Sequence, residues 1–407
     1  MHDGSFAPTA TARFHRKRDA IVAAATEVLN DRGVRGMTLA LVAERVGLIT
    51  TSVTYYFKKK DELAAACFMS GIERLMALVH EARGEPTTSA RVRRLLELYI
   101  GLRARIATGE APAISIFSDI RALSPEYFDP IGAAYGDLFR SVRGLFAAPG
   151  GEPLARGRAT ARAQILLEQL HWLEAWLRRY DATDYARVCD GMHDILAGGL
   201  ATEGAAWSPA PLAIGAPAGR GSAAEAFLLA ATRLINQRGY HGASVELISA
   251  SLNVTKGSFY HHHNTKDDVV IACFERSFEA VRRAQLAARG LPGDAWLKLI
   301  SAAAALVEFQ FSSAGPLLRA SALSALPEAI RGEIIEQSGR LSNRFATMIS
   351  EGVREGSVRP VDPFIAAQML TASLNAAADL PRLLRGVEAR VAVRYYARPF
   401  FTGLTSA

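Results

Sequence analysis

Cysteine and long apolar runs are both scarce in this sequence of 407 residues. The three cysteines, Cys67, Cys189 and Cys273, are isolated and odd in number, which argues against a disulfide framework and for a reducing compartment. No run of 18 or more apolar residues occurs, so a membrane-spanning helix is not expected. The N-terminal segment also lacks the apolar stretch of a secretory signal. These absences favour a cytoplasmic protein outside the membrane.

Recognisable enzyme motifs are missing as well. The sequence contains no glycine-rich phosphate loop, no nucleophile elbow and no metal-ligand spacing. His171, His193 and Cys189 are scattered, and Glu168 and Glu174 have no evident paired carboxylate. A helical enzyme is therefore the least favoured alternative, and no cofactor, catalytic residue or metal is expected.

Positive charge is present in excess and is unevenly distributed. The net charge is +7, and the segments "RFHRKR" (13–18) and "KKK" (58–60) concentrate basic residues near the N-terminus. Such clusters suit contact with phosphate groups, although a solvated surface explains the charge alone equally well.

The chain contains two copies of one unit. Residues 19–68 align without a gap with residues 225–274, and about 15 of the 50 positions are identical. The match resumes where 163–177 lies beside 367–381, and where "AGGL" (197–200) lies beside "FTGL" (401–404). Prolines and glycines between the copies indicate a linker.

Helical periodicity and capping residues give each copy the same local plan. Apolar residues recur at helical spacing, and Gly33 and Gly239 then end the first helix of each copy. Thr38 and Ser244 occupy the N-cap of a short second helix, and a tight turn leads to another short helix. Lys60 and Lys266 begin a longer helix with acidic residues in its first turn. This order of elements is a helix-turn-helix.

Residues 32–63, "RGVRGMTLALVAERVGLITTSVTYYFKKKDEL", resemble the DNA-binding region of the TetR family of transcriptional regulators, and residues 238–269 resemble it in the same register. The resemblance covers roughly a quarter of the chain. It implies an all-α fold of two tandem TetR-like units, each with a helix-turn-helix head and a C-terminal helical bundle. The expected division is 1–65 (first head), 66–203 (first bundle), 204–221 (linker), 222–270 (second head) and 271–407 (second bundle).

The resemblance also implies which side chains contact a double-stranded DNA operator. In the first copy the expected DNA-binding residues are Arg16, Lys17, Thr38, Thr50, Thr51, Ser52, Tyr55, Tyr56 and Lys60. In the second copy they are Ser244, Lys256, Gly257, Ser258, His261, His262 and Lys266. Arg13, Arg16, Lys17 and Arg18 are expected to precede the first helix and to follow the DNA backbone or enter a minor groove.

The run His261–His263 is not expected to bind a metal. Consecutive residues on a helix point about 100° apart, so three in a row cannot converge on one ion. By alignment, His261 and His262 match Tyr55 and Tyr56 on the DNA side, and His263 replaces a core aromatic residue.

Members of this family usually bind palindromic operators as homodimers, whereas here one chain supplies two different heads. We expect the C-terminal helices, about 155–200 and 362–405, to pair within the chain as an intramolecular pseudo-dimer. The heads would then lie roughly 34–36 Å apart on DNA. The two heads differ in the residues that are expected to contact bases, so the operator is predicted to be asymmetric. The alternative is a regulator in which only the first head reads DNA and the second copy is structural; association of two chains is left open.

The resemblance also implies that the bundles respond to a small effector, and an apolar or aromatic molecule would suit the candidate lining. Repression is favoured because it requires only occupancy of a promoter. Candidate pocket residues are Phe117, Tyr135, Phe139, His171 and Trp172 in the first copy, and Phe309, Met348 and Met369 in the second. Ordinary core packing is the simpler explanation for any single one of them.

Overall fold

The computed structural model describes residues 10–147, 155–214, 222–252 and 265–405. Its first copy contains these α-helices: α1 (Ala10–Gly36), α2 (Leu39–Val46), α3 (Thr50–Tyr56), α4 (Lys60–Ala82), α5 (Thr88–Ala107), α6 (Pro125–Gly144), α7 (Arg156–Leu177) and α8 (Tyr185–Gly198). A 3-10 helix, Phe117–Ala122, precedes α6, and a shorter one, Ala182–Asp184, precedes α8.

The second copy repeats this order. Its described α-helices are α9 (Ser222–Gly242), α10 (Val245–Ser251), α11 (Lys266–Arg289), α12 (Ala295–Phe309), α13 (Glu328–Glu355), α14 (Pro363–Ala376), α15 (Leu380–Leu383) and α16 (Ala389–Thr402). The 3-10 helix Ala320–Ala325 precedes α13, and Ala377–Asp379 follows α14. The described residues contain no strand, only one isolated bridge between Ala201 and Val358, so the expected all-α architecture is confirmed there.

The predicted helix stops and caps are confirmed in both heads. Gly33 has φ 66° and Gly239 has φ 72°, a left-handed conformation that interrupts each first helix. The Oγ1 atom of Thr38 accepts a hydrogen bond from the backbone N–H of Leu41 at 3.2 Å. Ser244 accepts the equivalent bond from Leu247 at 3.2 Å. These caps fix where the second helix of each head begins.

Helices α4 and α11 each run from a head into a bundle. They begin at Lys60 and Lys266, as predicted, and continue through the expected domain boundaries at 65/66 and 270/271. Head and bundle therefore share one continuous helix in each copy, and the division of the chain at these positions stays a prediction. Among the described helices, α4 is long and apolar enough to cross a membrane by length and composition. Ten of its residues are buried in the protein, as in a core helix.

The two copies pack against each other through their C-terminal helices. Helices α7 and α8 of the first copy contact α14 and α16 of the second. Gly199 follows α8 with φ 71° and lies against the carbonyl group of Phe401. Gly403, its aligned counterpart, has φ 96° and lies against the carbonyl group of Ala197. These two contacts are reciprocal, because Phe401 is the aligned counterpart of Ala197.

Polar contacts join the copies at the edges of this apolar interface. Arg359 donates hydrogen bonds to the carbonyl oxygen of Gly199 at 2.7 Å and to the carboxylate of Asp194 at 2.8 Å. Gln169 of α7 donates to Ser373 of α14 at 2.9 Å inside the interface. One hydrophobic core, which includes residues from both copies, runs through these four helices.

The first part of the expected linker is packed against the second copy. The indole ring of Trp207 contacts the ring of Phe401 with centroids 5.6 Å apart. The backbone N–H of Ala210 donates to Ser301 at 2.9 Å, and Trp296 donates to the carbonyl oxygen of Ala206 at 2.9 Å. These contacts fix the described part of the expected linker, residues 204–214, on the bundle of the second copy. Residues 215–221 lie outside the described part of the chain.

Candidate nucleic-acid interface and effector cavity

The first head presents α3 on a rigid support. Gly47 ends α2 with φ 69°, and the N–H of Leu48 donates to the carbonyl oxygen of Ala43 at 2.8 Å, which closes the tight turn before α3. Val53 of α3 and Phe57 just after it are buried in the core of the head. Their burial fixes which face of α3 remains outside.

The outward face of α3 carries the side chains that the sequence assigns to DNA contact. Thr50 and Thr51 are exposed, Ser52 and Tyr56 are half-buried, and Tyr55 is 66% exposed. Hydroxyl groups in this arrangement can exchange hydrogen bonds with base edges or phosphate oxygens. Thr38 is exposed at the start of α2, beside this face. Their contact with DNA stays a prediction.

The basic N-terminal segment is helical, which corrects the expectation that it precedes the first helix. Arg13, Arg16 and Lys17 lie on α1 and are exposed. The ring of Phe14 packs against Tyr56 with centroids 4.8 Å apart and against Tyr55 at 6.2 Å. This aromatic contact, which sequence reasoning missed, holds the basic end of α1 next to α3. The single apolar residue within "RFHRKR" was the available signal.

Lys60 and Lys266 have partners inside the protein. The ammonium group of Lys60 donates to the carbonyl oxygens of Val34 and Arg35 at 3.0 and 3.1 Å. Lys266 donates to the carbonyl oxygen of Tyr240, which aligns with Val34, and lies over the Tyr240 ring. Burial, and then the nearby charge of Arg35, lowers the pKa of Lys266 to about 8. Both lysines therefore anchor the end of a head helix, and their predicted contact with phosphate stays a prediction.

The segment of the second head that aligns with α3 lies outside the described residues, which omit 253–264. Predictions for Lys256, Gly257, Ser258, His261, His262 and His263 fall in that segment and stay predictions. Ser244 and Lys266, on either side of it, have the same hydrogen-bonding roles as Thr38 and Lys60.

The two heads rest on neighbouring 3-10 helices. Residues 117–122 and 320–325 contact each other, and each also contacts the first helix of both heads, α1 and α9. Arg121 donates hydrogen bonds to the carbonyl oxygens of Asn236 and Gln237, close to the end of the regular part of α9. A side chain of the first copy thus holds the second head.

Three of the predicted pocket residues form one aromatic cluster in the first copy. Ring centroids of Phe117 and Tyr135 lie 5.7 Å apart, and those of Phe117 and His171 lie 5.9 Å apart. Tyr135 and His171 stack at 6.4 Å. Phe139 is half-buried against the same core. These side chains pack against one another inside the first bundle instead of lining a pocket there.

A cavity of about 60 Å³ lies in the second copy. Its lining is mainly apolar and comes from α11, α13, α14 and the 3-10 helix 320–325, with two residues, Glu168 and Trp172, from α7 of the first copy. Trp172 is the one predicted pocket residue that lines it, although the sequence placed it in a pocket of the first copy. Phe309, Met348 and Met369 are buried in the core and do not line this cavity.

A buried group of charges borders the cavity. Arg319 contacts Asp379 at 2.9 Å and Glu168 at 3.8 Å, and Glu168 lies 3.9 Å from His171. Burial raises the pKa of Glu168 to about 7, with Arg319 lowering it and Asp379 raising it to smaller extents. Burial, assisted by the positive charge of Arg319, lowers the pKa of His171 to about 4. Near neutral pH the imidazole of His171 is therefore neutral, and the carboxyl group of Glu168, which lines the cavity, is close to its titration point.

Comparison with known families matches both heads to one model. The model for bacterial regulatory proteins of the tetR family matches residues 21–67 and again residues 227–273. The second match spans the segment that the structure does not describe. No curated protein matches the chain significantly.

The solved structures that are similar to this chain include a TetR family transcriptional regulator. PfmR, a TetR family transcriptional regulator from Thermus thermophilus, is 21% identical over 44% of this chain and 99% of its own, with a TM-score of 0.38. FadR from Bacillus subtilis in complex with stearoyl-CoA is 19% identical over 44% of this chain and 97% of its own, with a TM-score of 0.35. AibR in complex with isovaleryl coenzyme A and operator DNA is 17% identical over 44% of this chain and 97% of its own, with a TM-score of 0.35.

Proposed function

Because the chain is a TetR-family protein that carries the family's DNA-binding domain twice, we propose that it is a cytoplasmic repressor that reads an asymmetric operator with two unlike heads. The observation that carries this proposal is the difference between the reading residues. The first head presents Thr50, Thr51 and Ser52, where the sequence of the second has Lys256, Gly257 and Ser258. The ammonium group of a lysine can donate a charged hydrogen bond to guanine, whereas a threonine hydroxyl carries no charge, so the heads prefer different bases.

The packing of the copies supports an intramolecular pseudo-dimer. The reciprocal contacts of Gly199 and Gly403, and the four-helix contact around them, join the bundles as two subunits would be joined. One chain can then present two heads to one duplex without a second chain. In this proposal the domain division and the DNA-contact residues are those given by the sequence.

The cavity supports a response to a small effector. Phe274, Ser277 and Phe278 of α11 line it, and the same helix begins at Lys266, which holds the end of α9. Phe274 lies eight residues from Lys266, roughly 12 Å along the helix axis. A molecule that enlarges the cavity would displace α11 and carry the second head with it, which changes the spacing of the two heads on DNA.

Selection of bound fragments from the parent genome, followed by sequencing, supplies the operator for a direct test. We expect two different half-sites, and palindromes built from either half-site should bind at least tenfold more weakly, because each mismatched base pair costs about 1–3 kcal/mol. A palindrome that binds as tightly as the selected site would contradict the asymmetric operator. If Lys256→Ala leaves affinity unchanged, the alternative with one reading head is favoured.

Phosphate contact by the basic end of α1 can be tested through salt dependence. Arg16→Ala should reduce the slope of log K against log salt concentration by about one, the value for a single lost phosphate contact. Arg340→Ala is the matched control, because Arg340 is exposed on α13 and pairs with Glu336. Equal slopes for both variants would remove Arg16 from the interface.

A further inference from the structure

The two copies differ at the place where the second has its cavity. The helices α6 and α13 align with a shift of 203 residues, because buried Ile131 and Leu138 then coincide with buried Ile334 and Leu341. Helices α7 and α14 align with a shift of 204, as do Gly199 and Gly403. At three aligned positions the first copy has an aromatic ring where the second has a small side chain: Phe117 and Ala320, Tyr135 and Ser338, and His171 and Asn375.

These three positions decide whether the bundle is filled or open. In the first copy the three rings contact one another and occupy the space between α6, α7 and the 3-10 helix 117–122. In the second copy Ala320, Ser338 and Asn375 line the cavity. The amide of Asn375 is fixed, since it accepts from the N–H of Ala320 at 2.7 Å and donates to the carbonyl oxygen of Leu318 at 3.0 Å. The cavity is thus the volume that the aromatic rings occupy in the first copy.

The wall contributed by the first copy carries an unsatisfied donor. Trp172 lines the cavity, and its buried indole N–H has no acceptor among the described residues. A buried donor without a partner costs about 1–3 kcal/mol, which an acceptor on a bound molecule would recover. The remaining wall is mainly apolar, and the ionisable group among its lining residues is the carboxyl group of Glu168, which is partly ionised near neutral pH. Glu168 disfavours an anionic ligand, so the acceptor should be neutral.

We propose that each chain binds a single effector, in the second copy, and that this effector is a compact apolar molecule with a neutral carbonyl oxygen that accepts from Trp172. The aromatic cluster of Phe117, Tyr135 and His171 closes the equivalent site in the first copy. Because Trp172 belongs to the first copy, the bound molecule contacts both copies at their interface. This inference rests on the effector response proposed above and specifies its site, stoichiometry and ligand chemistry.

Acetophenone and ethylbenzene form a suitable pair of probes, because they have similar shapes and only the first has a carbonyl oxygen. Both are larger than the cavity of about 60 Å³, so their binding requires the enlargement of the cavity that the proposed function includes. Calorimetry with the full chain should give one bound acetophenone per chain. Its affinity should exceed that of ethylbenzene roughly fivefold, the worth of one hydrogen bond. Two bound molecules per chain, no binding of either probe, or equal affinities would overturn the inference.

Three variants locate the site. Ala320→Phe with Ser338→Tyr should fill the cavity and abolish binding of both probes, with helical circular dichroism as the check on folding. Trp172→Phe should keep ethylbenzene binding and lose the preference for acetophenone. Phe117→Ala with Tyr135→Ser should open the first copy and raise the stoichiometry to two. Probe binding that survives filling of the second copy, or an unchanged preference in Trp172→Phe, would refute the assignment.

DNA binding by the same proteins separates this inference from the proposed function. A chain that binds its operator but neither probe retains the proposed DNA-binding function and loses the effector site. A chain that binds the probes but no specific DNA has the opposite outcome. The single variant Ser338→Tyr should still bind the operator, because Ser338 lies on α13 rather than on a head or on the 3-10 helix that contacts both heads.

Discussion

At the scale of single residues, Glu168 and His171 show how burial changes side-chain chemistry. They lie one turn apart on α7, next to Arg319 and Asp379 of the second copy, and near Tyr135. Between about pH 4.5 and 7 the folded chain keeps a proton on Glu168 that the unfolded chain releases, so this contribution to the free energy of unfolding falls as pH rises. For His171 the unfolded chain binds the proton between about pH 4 and 6.5, so its contribution rises with pH. The contributions of Glu168 and His171 to the free energy of unfolding therefore change in opposite directions over most of the range from about pH 4 to 7.

Glu168→Gln should therefore expose the contribution of His171. We expect the free energy of unfolding of this variant, relative to the wild type, to increase by about 1–2 kcal/mol from pH 5 to pH 7. Urea unfolding at pH 5, 6 and 7 measures it. Glu336→Gln, which changes an exposed glutamate on α13, is the control and should show no such trend. A parallel pH dependence in Glu168→Gln and the wild type would contradict the raised pKa.

At the scale of elements, each head is attached to its bundle by the same contacts. Asn30 donates to the carbonyl oxygen of Ile114 and accepts from the N–H of Ile116, both at 2.9 Å. Asn236 makes the equivalent pair with Leu317 and Arg319, at 2.8 and 3.0 Å. Together with Lys60 and Lys266, these bonds fix the first helix of each head on the long helix and the 3-10 segment of its own copy.

Lys60→Met should separate a positioning role from contact with phosphate. If Lys60 acts by holding the carbonyl groups of Val34 and Arg35, operator affinity falls while the slope of log K against log salt concentration stays the same. A bond to phosphate would instead reduce the slope by about one. Filter binding at several salt concentrations distinguishes them, with Arg16→Ala as the variant expected to change the slope.

Arg121→Met should loosen the second head more than the first. Arg121 donates hydrogen bonds to carbonyl groups at the end of the regular part of α9. A positive charge is favourable there because the C-terminus of a helix carries partial negative charge. We expect faster hydrogen exchange for amides 234–243, and unchanged exchange for the aligned amides 28–37 of the first head. Equal acceleration in both segments would mean that Arg121 stabilises the whole molecule instead.

At the scale of the whole molecule, the contact between the copies depends on two close backbone approaches. A Cβ atom at Gly199 would overlap the carbonyl group of Phe401, and one at Gly403 would overlap that of Ala197. Both glycines also have positive φ. Because the overlap is with backbone atoms, it cannot be relieved by a change of side-chain rotamer.

Gly199→Ala and Gly403→Ala should each reduce the free energy of unfolding by about 3 kcal/mol or more, since left-handed strain of about 1–2 kcal/mol is added to the overlap. Gly204→Ala is the matched control: Gly204 has φ 78° with open space around it, so only the strain applies. Thermal unfolding followed by circular dichroism measures all three. Similar losses in the three variants would show that the contact between the copies is less tight than described.

The sequence by itself determined the repeat, the helices, the caps at Thr38 and Ser244 and the helix-turn-helix order, because each depends on residues a few positions apart in the chain. Only the tertiary structure decided that Lys60 binds carbonyl groups, that Trp172 borders the cavity of the other copy, and that Phe117, Tyr135 and His171 fill a bundle instead of lining a pocket. Those outcomes depend on contacts between segments far apart in sequence. Helical periodicity marks a side chain as buried, but it does not state which distant side chain meets it or whether space remains between them.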